Sequence, residues 1–378
     1  MALDIGVVGG GIGGLTAAIA LRQKGHSVHL FERAVELAEV GAAVSLWPNA
    51  LAALDRLGLE GPVRAEGQWE EAGALRKPTG DPYWTFDNSN LIILRPSLQQ
   101  VLLHSAGQDL PLSLGSPCTG VTSISDRPTV ILDDTSTHEF DLVVGADGVR
   151  SGVRAAIAPE ESSVLYSGST AWRAVVHAPG LVPTAWLTVG RGRHFLAAPL
   201  PDGDVYWSPL VKLPLSEVAT IDDQLGFMRS CFGTWHDPIL ELLDRTDPKA
   251  CFATPVHFRP PPTWLCRGRA VLIGDAAHPM TPDLGQGACQ AIEDAVVLAD
   301  CLIPNRPLEE SLADFTARRL QRVRRIVREA RVLGRLNSST SRLSEMVRLS
   351  MFKLTPSGFS DRHLQAISGR AAFEAQMS

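Results

Sequence analysis

The apolar positions fall into short runs of strand length and longer stretches of helical period. Residues 4–8 (DIGVV) form an apolar run that predicts a buried parallel strand. LTAAIALRQKG at 15–25 predicts a helix that stops at Gly25, and HSVHLFER at 26–33 predicts the second strand. Two further buried strands are expected over Asp141–Gly145 and in AVLI at 270–273. Between roughly 165 and 260, runs such as HFLAAPL and DVYWSPLV are split by Pro and Gly, which predicts an antiparallel sheet with one buried face. The stretch DFTARRLQRVRRIVREARVLGRL keeps Phe315, Val323, Ile326, Val327, Ala330 and Leu333 at helical spacing. Its eight arginines between Arg318 and Arg335 are expected on the solvated side. The tail, with MVRLSMFKLTP at 346–356, is expected to pack on the body, and no internal repeat is seen.

Composition narrows the class. With 378 residues, 45% hydrophobic and 20% charged, the chain is long enough for two closely joined domains. A net charge of -6 argues against a nucleic-acid binder. No apolar run reaches membrane-spanning length, and Met1–Asp4 leads into a strand with no basic n-region or cleavage site. Six scattered cysteines without a Cys-x-x-Cys pair read as reduced thiols of a cytoplasmic protein, and no His/Cys cluster has metal-ligand spacing.

The loop after the first strand carries chemistry. Gly9, Gly11 and Gly14 meet the pattern G-x-G-x-x-G between a strand and a helix. Gly9 permits the tight turn, Gly11 lets a pyrophosphate approach the backbone, and Gly14 lets helix and strand pack closely. The helix start offers free N–H groups to phosphates. Glu32 ends the second strand 18 residues after Gly14, where a carboxylate can accept hydrogen bonds from ribose hydroxyls. The loop alone leaves FAD and NAD both open.

Two later motifs act on that choice. In FDLVVGADGVRSGVR at 140–154, Asp147-Gly148 turns the chain, and the plainer role for Asp147 is capping the next helix. Gly274-Asp275 sits at the carboxyl end of a strand, where ligands lie in open α/β sheets. Gly285-Gln286-Gly287 then precedes a helix beginning near Ala288, whose N–H groups face any nearby anion.

The order GGGIGG, DGVRS, GDAAHPMTPDLGQG resembles the class A flavoprotein monooxygenases, the group of para-hydroxybenzoate and salicylate hydroxylases. GAAVSLWPNA at 41–50, LRPSLQQVL at 94–102 and TAWRAVV at 170–176 extend the resemblance over nearly the whole chain. It implies an α/β fold: a Rossmann-like FAD/NAD(P)-binding domain of the para-hydroxybenzoate-hydroxylase type, an inserted, mostly antiparallel β-sheet substrate domain, and a C-terminal helical segment. The division it implies is 1–72, 95–163 and 265–336 for the FAD-binding domain, 73–94 and 164–264 for the substrate domain, and 337–378 for the tail. It also implies that Glu32 holds the adenosine ribose, with Arg33 in the same FAD-binding set, that Arg95 contacts the flavin side of FAD, and that Asp275 binds the ribityl or pyrophosphate region. Val121 is added to the FAD set; Val44 and Gly285, Gln286, Gly287, Ala288 and Cys289 would line the isoalloxazine ring. Asp147 would serve both FAD and the pyridine nucleotide.

GAAVSLWPN and TPDLGQGACQAIEDAVVL are most similar to FAD-dependent urate hydroxylases. Asp283 and Tyr206 then correspond to active-site residues, while the arginine of the urate pattern is replaced by His194 with Arg193 beside it. Adjacent strand residues point to opposite faces, so at most one of these enters a pocket. Asp283 could deprotonate a substrate N–H or O–H or accept a hydrogen bond from it, or simply cap the following helix or face water. Pro282 and Trp172 join Arg193 as candidate substrate contacts, whereas His278 reads as a packed turn histidine.

With a single dinucleotide loop, NADH or NADPH is expected to bind briefly, reduce the flavin and leave. The expected function is FAD-dependent hydroxylation of a small aromatic or heteroaromatic, possibly purine-like, substrate with O₂ as co-substrate. Alternatives are an epoxidase or tailoring oxygenase for a larger terpenoid or polyketide, and a flavin-binding protein without catalysis. A monomer or homodimer is expected.

Overall fold

The computed structural model describes residues 2–37, 42–303, 305–341 and 357–377; the stretch 346–356, expected to pack on the body, lies outside them. Three sheets organise the described residues. The first has the order β16 (Cys266–Arg267), β17 (Ala270–Leu272), β10 (Leu142–Gly145), β1 (Asp4–Val8), β2 (Ser27–Phe31), β6 (Leu112–Ser113). All its pairs are parallel except β16–β17. Its central strands are continuous runs of Val, Leu and Ile because helices cover both faces. Leu142, Val143, Val144, Ala270, Val271 and Leu272 are completely buried, and each of the leucine and valine side chains contributes about 1.5–3 kcal/mol.

The second sheet has the order β15 (Phe252–Phe258), β11 (Leu165–His177), β14 (Asp204–Lys212), β13 (Arg193–Pro199), β12 (Ala185–Val189), β4 (Gln68–Arg76), β5 (Pro82–Leu94), β3 (Ala43–Leu46). A small third sheet joins β7 (Cys118–Thr122), β8 (Thr129–Leu132) and β9 (Thr137–Glu139). The helices are α1 (Ile12–Gln23), α2 (Pro48–Asp55), α3 (Glu60–Ala65), α4 (Arg95–Ala106), α5 (Gly152–Ile157) and α6 (Leu215–Val218). They continue with α7 (Gln224–Phe232), α8 (Ile239–Arg245), α9 (Gly287–Cys301), α10 (Leu308–Asn337), α11 (Ser357–Ser368) and α12 (Arg370–Glu374). None among the described residues is long and apolar enough to cross a membrane.

The middle sheet departs from expectation in three ways. Both its faces are occupied: Trp172, Ala174, Phe195, Ala197 and Trp207 pack with residues of α7 and α8, while Ala198 and Tyr206 pack on the other face. β12 pairs with β4 in parallel. Finally, β3 and the start of β4, placed by sequence in the FAD-binding domain, hydrogen-bond into this sheet. An apolar run shows that a strand is buried, not which sheet it joins.

The expected stripe of α10 is buried except for Leu333. Its arginines do not all face water: Arg319 is completely buried. The C-terminal residues answer to them, for Arg322 donates to the Ile367 carbonyl at 2.7 Å and Arg318 to that of Gln376 at 3.2 Å.

Candidate active site

β1 lies between β2 and β10, so the chain reverses its winding direction there and opens a crevice at the carboxyl ends. The motif loops meet at that crevice. Gly9 has φ +110°, and a Cβ on it would lie 2.5 Å from the Ala146 carbonyl oxygen. A Cβ on Gly14 would lie 1.8 Å from the carbonyl oxygen of Gly9, so no side chain fits. Glu32 accepts the Gly10 N–H at 2.6 Å and the Ala34 N–H at 2.9 Å, and Gln99 donates to the Gly10 carbonyl at 3.1 Å. α1 begins at Ile12 with Gly11 at its N-cap and no side-chain cap, leaving its first N–H groups to a ligand.

Asp147 is already engaged. Its carboxylate accepts from the Ser151 hydroxyl at 2.5 Å and the Val153 N–H at 3.1 Å, securing the start of α5. Burial pushes its pKa up, against the pull of these bonds. Asp275 sits exposed just beyond β17, whereas the Gly274 N–H donates to Asp294 at 2.9 Å. Gly13 and Gly274 both press on Ala291 of α9, where a Cβ would lie 3.2 Å and 2.9 Å from the alanine methyl. One helix thus gathers two of the motifs.

At Gly285 the chain adopts φ +62°, and a Cβ there would lie 3.0 Å from Trp47 Nε1. Gln286 is buried, its Oε1 accepting from Asn49 and Gln290 at 3.0 Å each. α9 starts at Gly287 with no side-chain cap. A Cβ at Gly287 or Gly148 would meet no atom within 4 Å, so open space adjoins both. Among the described residues, Trp47 Nε1, Asn49 Oδ1 and Gln286 Nε2 are buried without a partner. Two uncapped helix starts, glycines that cannot carry side chains, two unsatisfied donors (Trp47 Nε1 and Gln286 Nε2) and one unsatisfied acceptor (Asn49 Oδ1) match the polar groups and clearance that a flavin dinucleotide needs. Val44 on edge strand β3 is partly buried here, and the Cys289 thiol donates to the Ser45 carbonyl at 3.4 Å, its pKa pushed by burial to about 12.

Beneath this cradle lies a charged network the sequence reading missed. Arg319 donates to Asp294 at 2.6 Å and also to Glu293; Arg322 donates to Glu293 at 2.7 Å and 2.8 Å. His278 Nε2 bonds Asp294 at 2.6 Å, and Gln376 donates to Glu293 at 3.0 Å. Burial works to raise both acids, yet Arg319 with Arg322 brings Glu293 to about 2, and Arg319 with His278 brings Asp294 to about 2. Two adjacent acids on a mostly apolar helix, with an Arg-rich helix downstream, were the available signal.

On the middle sheet, strand register fixes orientation. His194 is opposite Leu210, and Ala198 opposite Tyr206, so His194 and Tyr206 share one face. Arg193 and Trp172 point to the other. Arg193 lies over Phe232 and Trp235 at 5.8 Å and 5.6 Å, and Trp172 is completely buried against Phe227. Facing α7 and α8, these two are separated by the sheet from Tyr206; the period of two decides it. Asp283 lines a cavity of about 220 Å³ with Tyr166, Leu210, Val256, Phe258 and Arg331. Its carboxylate accepts from Asn337 at 3.1 Å, and Pro282 is exposed beside it. Tyr206 and His194 are not in that lining. Arg33 is exposed, Arg95 opens α4, and the Val121 side chain is buried in the core of the first sheet.

The FAD binding domain family matches residues 2–181 and 263–330. The chain belongs to the FAD-dependent aromatic-ring hydroxylase family. Among relatives of this family member is the aurachin C monooxygenase/isomerase of Stigmatella aurantiaca, 37% identical over 94% of this chain and 95% of the relative. The FAD-dependent urate hydroxylase of Klebsiella pneumoniae is 33% identical over 86% of this chain and 88% of its own. A crystal structure of Klebsiella pneumoniae HpxO with FAD and uric acid superposes with a TM-score of 0.88 at 28% identity, covering 98% of this chain and 97% of the other.

Proposed function

We propose that this protein hydroxylates a small aromatic or heteroaromatic ring, using NADH or NADPH as reductant and O₂ as co-substrate. The observation that carries the reading is one of chain continuity. Asp283, in the cavity, precedes the uncapped start of α9 by four residues, so a single loop serves both the cradle and the cavity. FAD, when bound, supplies the hydride acceptance and oxygen activation. The protein's own residues bind, orient and exclude water.

In this reading the α1 start and Gly9–Gly14 loop hold the pyrophosphate, Glu32 turns to the ribose, and Asp275 holds the ribityl region. The start of α9 stabilises negative charge on the ring of the reduced cofactor. Asp283 accepts a substrate N–H or O–H, which raises electron density on the ring to be attacked. Tyr206 and His194 complete the same sheet face further from Asp283. The cavity favours a small ring over a large terpenoid or polyketide.

The test is FAD-reconstituted protein oxidising NADH or NADPH in the presence of an aromatic and purine panel, with labelled O₂. Stimulated oxidation and one labelled oxygen atom in the product are expected. Failure to bind FAD, or oxidation that no ligand stimulates, would sink the reading.

A further inference from the structure

We propose that Asp283 and Arg331 together read one edge of the substrate, a donor N–H or O–H beside a carbonyl or carboxylate oxygen. A lactam and an ortho-hydroxy acid both carry such an edge. The proposal rests on the hydroxylase reading for its use, though its binding chemistry is tested separately.

The two side chains come from different segments held in register. Thr281 donates to the Ala330 carbonyl at 3.0 Å, which pins the loop before α9 to α10. Asp283 then rests on Gly334: a Cβ there would lie 2.5 Å from Asp283 Oδ2. Arg331 is three residues earlier on α10, one turn along the same face, about 5–6 Å away between Cβ positions. An acid and a base so placed would ordinarily pair. Here the acid accepts from the neutral Asn337, and the guanidinium lies over the Phe258 ring at 5.0 Å with its buried Nε lacking an acceptor among the described residues. Both line the same cavity, whose wall of Leu210, Val256 and Phe258 suits the flat face of a ring.

The donor inventory then fixes the ligand. An ionised carboxylate only accepts and a guanidinium only donates, so one ligand satisfies both by presenting a donor next to an acceptor. A ring with a lone hydroxyl or a lone carbonyl leaves one charge unanswered, which is costly in a partly buried site. Arg331 is therefore a specificity-determining residue, taking the place that sequence reasoning gave to Arg193.

Three probes separate the parts: oxindole (N–H beside C=O), N-methyloxindole (no donor) and indole (no carbonyl). FAD-loaded protein is titrated with each and the flavin absorbance followed. Oxindole should bind at least about tenfold tighter than either analogue, as expected for a hydrogen bond to a charged group. Arg331→Met, which has no donor, should erase the preference over indole and keep that over N-methyloxindole; Asp283→Ala should do the reverse. Arg331→Lys, which keeps a charged donor, should retain part of the preference, and unchanged FAD affinity marks each variant as folded. Equal binding of the three probes, no binding of any, or selectivity indifferent to Arg331 overturns the proposal. If the selectivities hold but no ligand stimulates NAD(P)H oxidation, the hydroxylase reading fails while the edge reading stands.

Discussion

Replacing Arg319 by Met keeps an unbranched side chain in the buried slot but removes the guanidinium that bonds both Glu293 and Asp294. Arg322 would still serve Glu293 and His278 would still serve Asp294, so the acids lose part of their compensation. Breaking a buried ion pair by removing one partner costs about 3–5 kcal/mol. The unfolding entropy is about 2.1 cal/mol/K per residue, so for 378 residues the melting temperature should fall by about 4–6 °C. Both acids sit at about 2 in the folded protein, below their unfolded values. Their stabilisation is therefore present above the unfolded pKa and is lost as pH falls toward about 2. Without Arg319 the acids hold protons more readily, so acidification costs the variant less. The wild-type advantage should shrink between roughly pH 5 and pH 2. Thermal unfolding of FAD-free protein, followed by circular dichroism across that range, checks both claims. A drop below about 1 °C at neutral pH, or an advantage that widens on acidification, refutes the argument. Adding Glu293→Gln to Arg319→Met should restore part of the loss.

Other substitutions probe the cradle and the cavity. Gly14→Ala places a methyl 1.8 Å from a backbone oxygen and should abolish FAD retention on a desalting column; a yellow, saturable variant contradicts the packing account. Gly334→Ala should add about 1 kcal/mol of helix propensity. Its methyl displaces the Asp283 carboxylate 2.5 Å away, so ligand-stimulated NAD(P)H oxidation should fall without loss of thermal stability. Cys289, buried with a pKa pushed to about 12, should resist alkylation at pH 8 in the native protein and react after unfolding; rapid native labelling would show that the start of α9 opens.

The sequence alone determined the strand–loop–helix at Gly9–Gly14, the buried strands before Asp147 and Gly274, and the helix after Gly287. Local rules set these: an apolar run, a glycine where a side chain cannot fit, a period that changes from two to 3.6. It also placed Asp283 beside that last helix. What it left open depended on contacts between distant segments. Only strand register turned Arg193 and Trp172 away from the face that holds His194 and Tyr206. Only the docking of α10 against α9 buried Arg319 between two acids 25 and 26 residues away. The same docking brought Arg331 into one cavity with Asp283. An arginine on an amphipathic helix looks the same in sequence whether it meets water or a carboxylate; burial is a property of the neighbours, and only the tertiary structure chooses them.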